Sequence, residues 1–476
     1  MSAIAKALPN LRPEEMEDPK EHLMHDPLPR GEMNRMVLES MHTTTWKYWT
    51  VVTILAFLVV TCLGYAWYYL IMQGLGVSGD NRPVYWGVFL VNFVYWIGIS
   101  HSGTLTSAIL RVLKIESRRP FTRVAELMTA FAIVNAGLSI FMHMGRVWLA
   151  YWLIPYPNER GIWPDFHSPL MWDFMAITTY LICSSLYLYL PLIPDLAMVR
   201  DRSKGWVKTF YKIFAIGFRG TEGEWKNLHL AMNIFAFAII PVAFSVHTIV
   251  AWDFAMATRP GWSSSVLGPY FVAGALLSGV AAVPIVLFFV RSTMKNMKYF
   301  LRPEHFDTVG KMLLIISMGW AYFYFNDYIV PWYAGDKWEK ILTLFIEAGP
   351  QAWLWYLMLF CNIVVPWSVL WRKKWRQTPW LMAIVGILIN VGMYTERYII
   401  VPEMSTINRM PFTWHIYIPR VEVILTIGTF ALFLLLYFAA SRILPLIPNW
   451  EVQEGQEGHI LRKIGKAKIP TISQID

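Results

Sequence analysis

Residues 95–103 read YWIGISHSG, and residues 271–279 read FVAGALLSG. Trp86 stands to the first stretch as Trp262 stands to the second. Farther along the chain the match continues with an offset that drifts by a few residues. PLMW at 169–172 answers PQAW at 350–353, and the run beginning Phe121–Thr122 answers the one beginning Phe306–Asp307. Self-similarity on this scale marks two copies of one structural unit.

Composition says what that unit is made of. The 476 residues are 56% hydrophobic with 24 Trp, 24 Met and 28 Phe, and only 15% are charged. A soluble chain carries about 25% charged residues. Apolar runs long enough to cross a bilayer core about 30 Å thick recur along the whole length. In lipid each run must satisfy its own backbone hydrogen bonds, so each is a helix. The expected spans are 49–73, 84–113, 122–153, 169–193, 228–253, 265–292, 306–332, 348–371, 379–400 and 421–444. Four spans per repeat is an even number, so both copies enter the membrane from the same side. The fold class is therefore an all-α polytopic membrane protein. Two parallel-repeat four-helix bundles, 48–200 and 228–372, are joined by a basic loop at 201–227. Two additional spans at 373–445 follow, with tails at 1–47 and 446–476.

Orientation follows from the loops. RVLKIESRRP, RDRSKGWVKTFYKIFAIGFRG, RSTMKNMKYFLRP and WRKKWRQ lie on the side of the termini. They carry about 20 basic residues against roughly seven in the opposite loops, which places both termini in the cytoplasm. The net charge of +9 is this bias and not a nucleic-acid surface. The opposite loops, YPNERGIWPDFHSP, ATRPGWSSS and WYAGDKWEK, are rich in Trp, Pro and Gly, and suit an interfacial belt or a docking surface for an extracytoplasmic partner. The N-terminal stretch is polar and reads as a tail, with no short apolar core of a signal peptide.

The repeat also sorts the residues. Types kept in both copies, Pro169/Pro350, Trp172/Trp353 and Gly103/Gly279, serve the shared fold. Asp173 answers Leu354, and His143 answers Tyr328, so neither is needed for the unit to form. An ionisable group inside a span costs at least about 2.5–3.5 kcal/mol and needs a reason. His143 and Arg146, in FMHMGRVW, fall at i and i+3 near the outer end of the third span, and Asp173 falls near the outer end of the fourth. A His and a carboxylate at one site can take two protons from a hydroquinone, with Arg146 holding the carboxylate ionised. The alternative is structural: Asp173 follows a Ser-Pro helix start, where a carboxylate suits the N-terminal dipole. Arg146 would then snorkel, and His143 would be a bonded core residue.

Other ionisable positions are His101 in mid-span, with Leu277 as counterpart, and Glu126 and Lys311 at equivalent positions, where a cross-repeat ion pair is the structural explanation. Asp253, Asp327, Glu347, Glu396 and Arg397 lie near outer span ends. As a set these residues supply a candidate proton path. His229, His247, His305 and His415 are scattered, and no two spans carry paired His at a repeated spacing, so haem is disfavoured. Cys62, Cys183 and Cys361 lie in separate runs, too few to ligate an iron–sulfur cluster.

The repeat, the segments HSGTLTSAILRVLK, RPFTRVAELMT and MHMGRVW followed by YPNERGIWPDFHSPLMWDF, and the ten spans together resemble the NrfD/polysulfide-reductase family of membrane subunits. Within that family the likeness is greatest to the larger such subunit of bacterial alternative complex III, and it covers roughly residues 45–445. The resemblance implies a site for quinol, menaquinol by preference, on the outer side of the first bundle. His143 and Asp173 would be its proton acceptors, with Arg146 and Trp172 in support. It implies no haem or iron–sulfur cluster in this chain. Electrons would pass to an iron–sulfur protein docked on the outer face, then to haem c subunits and a cytochrome or terminal oxidase. A second membrane subunit of the same family and lipids would complete the complex in the bacterial cytoplasmic membrane. Proton translocation is an open part of that expectation. The competing readings are a secondary transporter or proton channel, and a membrane anchor of a molybdopterin oxidoreductase.

Overall fold

A computed structural model describes residues 29–44, 46–80, 84, 86–153, 169–257, 259–406, 418–458, 461–464 and 467–470. Ten helices among them are long and apolar enough to cross a membrane: Tyr48–Gln73, Val88–Val112, Thr122–Met144, Pro169–Arg202, Glu222–Ala255, Leu267–Thr293, Pro303–Ala334, Ala352–Val369, Pro379–Thr406 and Arg420–Ile443. They are numbered here as spans one to ten. A short hairpin, Leu461–Ile464 with Ala467–Pro470, lies near the C-terminus.

The repeated glycine stretches meet at the centre of the molecule. Span two is 94% buried in its most apolar stretch and span six 83%, against 17% for span one. Small residues let these two backbones approach, as interfaces within membranes require. Ser102 Oγ donates to the carbonyl of Ala275 at 2.6 Å, and a Cβ on Gly98 would rest 3.4 Å from Ala275 Cα. A Cβ on Gly279 would collide with Ser102, and one on Gly103 with the Ala125 carbonyl and Thr129. The serines and threonines of span two are spent on the same seams. Ser100 Oγ donates to the Thr129 carbonyl and Thr129 Oγ1 to the Ser100 carbonyl, at 3.1 and 2.9 Å. Trp353 follows a different logic from these glycines. It is 62% exposed, whereas Trp172 is half-buried, so this pair has no place in the glycine-lined core.

Span ten is not peripheral. Gly428 brings it against the backbone of Leu63 in span one, and Trp96 Nε1 donates to Thr429 Oγ1 at 3.1 Å. Three span ends differ from expectation for local reasons. Span three stops at Met144, because Gly145 adopts φ +66° as its C-cap, and a 3-10 segment, Val147–Leu153, follows. Span four runs on to Arg202 through Pro191 and Pro194. Arg123 and Trp450 there donate to the Pro191 carbonyl at 2.6 and 2.9 Å. Span nine continues past residue 400 through a wide turn, Ile399–Glu403, around Pro402.

The basic end is clamped. Arg123, fully buried, pairs with Asp195. Asp195 accepts from the backbone N–H groups of Asn449 and Trp450, at 3.2 and 3.3 Å, and so caps the C-terminal helix Asn449–Gly458. Glu451 of that helix pairs with Arg118 at 2.8 Å and Arg111 at 3.4 Å.

Candidate functional site

The end opposite the basic clamp gathers buried acids in both repeats. In the first repeat, His143 sits in the last turn of span three and presents Nδ1 3.3 Å from Oδ2 of Asp80. Asp80 belongs to the loop between spans one and two, and its side chain is 5% exposed. Glu422, in the first turn of span ten, accepts from the backbone N–H of Gly79 at 2.9 Å. Gly87 has no side chain where a Cβ would meet Asp80 and Glu422. The added tenth span therefore helps build the loop that carries the partner of His143.

Asp173 occupies the first turns of span four and is 7% exposed. Its carboxyl lies within hydrogen-bonding reach of the carboxyl of Asp253, at the end of span five. Two carboxyls at that range bond only through a shared proton. Each follows a tryptophan in its own span, and Trp172 and Trp252 meet edge-on, with ring centroids 6.2 Å apart.

This end is also under-satisfied. Among the described residues, both Asp80 oxygens, His143 Nδ1 and one oxygen each of Asp173 and Asp253 are buried and have no aligned hydrogen-bond partner. Buried polar atoms in a folded protein nearly always find partners, which makes this end a candidate for binding a polar group. The chemistry on offer is proton acceptance, by one imidazole and three carboxyls at the ends of adjacent helices.

Arg146 lies beyond the Gly145 cap and is exposed. It shares no helical face with His143, and among the described residues it makes no ion pair with Asp173. The expected i, i+3 geometry fails because the helix ends between the two. Trp172 borders the groove between spans four and five. The segment 154–168, which joins spans three and four, is outside the described residues.

The second repeat holds a separate cavity at the same end, with about 80 Å³ open to the centres of water molecules. Asp327, Glu347 and Glu396 line it, and each is met by a hydroxyl: Ser264 at 2.5 Å, Tyr328 at 2.5 Å, and Tyr270. Trp320 Nε1 also donates to Glu396 at 2.8 Å. Arg397 pairs with Glu396 at 3.4 Å and lies over the Phe271 ring, 4.4 Å from its centroid. Glu339, on the short helix Lys337–Ala348, also faces this space, and burial raises its pKa despite hydrogen bonds from the Gly261 N–H.

Between the repeats, His101 of span two and His247 of span five are both 1% exposed, with ring centroids 5.2 Å apart. His101 also packs on Tyr180 at 4.2 Å. Among the described residues, none of the four ring nitrogens has an aligned partner. Toward the basic end, Glu126 accepts from Ser107 at 2.6 Å, with Tyr187 at 3.1 Å from the same hydroxyl. Lys311 is 60% exposed and pairs with Asp307 one turn away at 2.8 Å. The expected Glu126–Lys311 pair across the repeats does not form, because each finds a partner nearby.

Sequence reasoning missed Asp80, Glu422 and His247 as members of these clusters. Asp80 sits in a loop, where a charge needs no explanation. Glu422 falls at a helix start, which by itself accounts for an acid. The Trp-Asp dipeptide common to spans four and five was the legible sign that Asp173 and Asp253 belong together.

Residues 76–408 match the family model described as Polysulphide reductase, NrfD. Among curated proteins, a putative membrane component of a dimethyl sulfoxide reductase from Halobacterium salinarum is 30% identical over 234 residues, 49% of each chain. An Hdr-like menaquinol oxidoreductase integral membrane subunit of Archaeoglobus fulgidus is 22% identical over 86% of this chain and 96% of its own length. The integral membrane subunit of a menaquinone reductase from Nitratidesulfovibrio vulgaris is 23% identical over 75% of this chain and 81% of its own.

Proposed function

This chain belongs to the polysulphide reductase NrfD family, and from that premise we propose that it is the quinol-oxidising membrane subunit of a multisubunit oxidoreductase. The observation that carries the reading is the gathering of proton acceptors at one end of the molecule: His143 with Asp80, and Asp173 with Asp253. The names of the menaquinol and menaquinone relatives support menaquinol as the substrate.

Oxidation of one quinol releases two protons and two electrons. In this reading His143 Nε2 takes one hydroxyl proton, and Asp80, 3.3 Å from Nδ1, stabilises the imidazolium that forms. The Asp173–Asp253 pair takes the other. The doubly ionised pair is the acceptor, since one proton taken up between the two carboxylates quenches their repulsion and is then shared by both. Electrons leave to a redox partner of the iron–sulfur type docked on the Trp-rich face, and from there to haem c proteins and a terminal acceptor, in the manner of alternative complex III. A second NrfD-like subunit and lipids would flank the chain.

The remaining buried groups support a proton path as a further part of the proposal. Asp253, Asp327, Glu347, Glu396 and Arg397 lie at the aromatic end, His101 at the seam between repeats, and Glu126 toward the basic end. Lys311, exposed and paired within its own helix, is its least suited member. The hydrated acidic cavity of the second repeat also suits the alternative of a transporter or channel, which predicts solute or proton flux through this chain without an electron acceptor.

The deciding experiment is Asp173→Asn in the assembled complex. Quinol-dependent electron transfer is expected to fall about 100-fold or more, the scale of removing a proton-transfer group, with assembly intact. Turnover at the wild-type rate would refute the assignment.

A further inference from the structure

A groove of about 460 Å³ runs along the seam between spans four and five. Trp172, Met175, Ala176 and Thr179 form one wall, and Ser245 and Ile249 belong to the other. Its polar residue types are polar in name only. Thr179 Oγ1 donates to the Met175 carbonyl and Ser245 Oγ to the Val242 carbonyl, at 2.8 and 2.9 Å, so both hydroxyls are spent on their own helices. What remains is a trough floored by small residues and edged by a methionine, a side chain that adapts to irregular apolar shapes. Met175 is 55% exposed, and Leu170 and Ile182 of the same helix are 52% and 56% exposed. This face of span four therefore looks into the bilayer.

One end of the groove is bordered by Trp172, next to the carboxyl pair, and neither acid itself lines the groove. Trp172 and Trp252 meet there, and the next residue in each span is Asp173 or Asp253. From Trp172 the wall runs seven residues along span four, to Thr179, and on span five it runs seven residues, from Ile249 to Val242. At 1.5 Å per residue each wall is about 10 Å long, directed toward the middle of the membrane. The arrangement sets an apolar trough, open to lipid, beside a polar pair in which one buried oxygen of each carboxyl has no hydrogen-bond partner among the described residues. It fits an amphipathic molecule with a proton-donating head and a long alkyl tail.

We propose that the quinol enters sideways from the bilayer between spans four and five, with its isoprenoid tail in this groove and its head at Asp173 and Asp253. The proposal rests on the quinol-oxidising reading above and adds to it the route, the orientation and a dependence on tail length. Affinity for the substrate comes from the tail in the trough, while proton transfer occurs at its end. A phospholipid acyl chain or an apolar helix of a partner protein are the competing occupants.

The test compares a long-tailed menaquinol with a tailless naphthoquinol in the intact, purified complex, for wild type and for Ala176→Trp and Ser245→Trp. These two substitutions fill the groove from opposite walls, so failure of one to assemble leaves the other. The ratio of the two KM values, long-tailed over tailless, is expected to rise about ten-fold in the variants, a loss of about 1.4 kcal/mol in tail binding. Equal changes in both KM values, or no change in either, would overturn the groove while leaving quinol oxidation standing. The same holds if the wild-type KM is indifferent to tail length, or if a photoreactive menaquinol tail fails to label Met175 or Ile249 while a photoreactive phospholipid labels them. If the wild-type complex oxidises neither quinol, the functional reading itself is wrong and the groove proposal goes with it.

Discussion

His143 at the end of span three and Asp80 in the loop before span two stand 3.3 Å apart, Nδ1 to Oδ2. A histidine paired this way has its tautomer chosen for it, because a carboxylate at Nδ1 favours a proton there and leaves Nε2 to exchange with a ligand. Asp80→Asn removes the charge and keeps the shape. We expect kcat for quinol oxidation to fall about 10- to 100-fold, with His143→Gln falling at least as far. The double variant should be no worse than the single His143 variant, since residues acting as a unit are not additive. Steady-state kinetics of the four proteins checks this, and additive losses would separate the two residues.

The carboxyl pair makes a similar prediction with a different signature. Asp253→Asn leaves Asp173 with an amide that can donate to it, where a carboxyl had shared a proton. Turnover should drop about 100-fold, and the pH profile of kcat should lose one of its ionisation steps, because a coupled pair titrates in two. A profile with the same steps as wild type would remove Asp253 from the site.

How much of this was legible beforehand differs by element. The spans and the repeat were legible, because hydropathy and the glycine pattern of 95–103 and 271–279 follow from backbone chemistry in lipid. The repeat even pointed to the central seam, since Gly103 and Gly279 are the residues whose missing side chains let helices touch. His143, Asp173 and Asp253 could be singled out by the cost of burying them. Their partnerships could not. Which acid faces His143 depends on how a loop folds back, and Asp80 is brought there by Glu422 from a span 342 residues away in sequence. The placement of Arg146 has a local cause, the positive φ of Gly145, which ends the helix at Met144, two residues short of Arg146.

The central seam carries its own prediction. A side chain on Gly279 has no room, because its first carbon would coincide with Ser102. Gly279→Val is expected to block close packing of spans two and six, costing at least the roughly 1–3 kcal/mol of an overpacked core. The thermal midpoint of the purified complex, or its yield on assembly, measures this. Gly319 has open space around it, so Gly319→Ala is the matched control and should behave as wild type.

At the basic end, Glu451 is the hinge of the C-terminal helix. Burial pushes its pKa upward, but Arg118, Arg111 and Arg119 outweigh that and hold it below the ordinary glutamate value. A depressed carboxyl contributes stability that is complete above the unfolded value, about 4.3. That contribution is lost as pH falls through the lower folded value. Helix 449–458 should therefore stay docked at neutral pH and release only in acid. Glu451→Gln, which leaves three arginines facing a neutral amide, should weaken docking by about 3–5 kcal/mol. Limited proteolysis of the C-terminal tail at pH 7 reads this directly, and a tail as resistant as that of wild type would contradict it.

The cavity of the second repeat gives the last prediction. Glu396 takes hydrogen bonds from Tyr270 and Trp320 and pairs with Arg397, while Asp327 and Glu347 lie around the same few waters' worth of space. A neutral amide in place of Glu396 can still accept from Tyr270 and Trp320 but can no longer take up a proton. If protons cross the molecule by way of this chamber, Glu396→Gln will lower the number of protons released per quinol oxidised in proteoliposomes toward the two that the chemistry itself supplies. Lys311→Gln, on an exposed side chain paired within its own helix, should leave that ratio where it was. Acidification measured against acceptor reduction in the same vesicles distinguishes the outcomes. An unchanged ratio in Glu396→Gln, from a wild type that releases more than two, would place the path elsewhere. A wild-type ratio of two would mean that the acids of the second repeat hold water and structure, and that the chemistry of this chain is confined to the first.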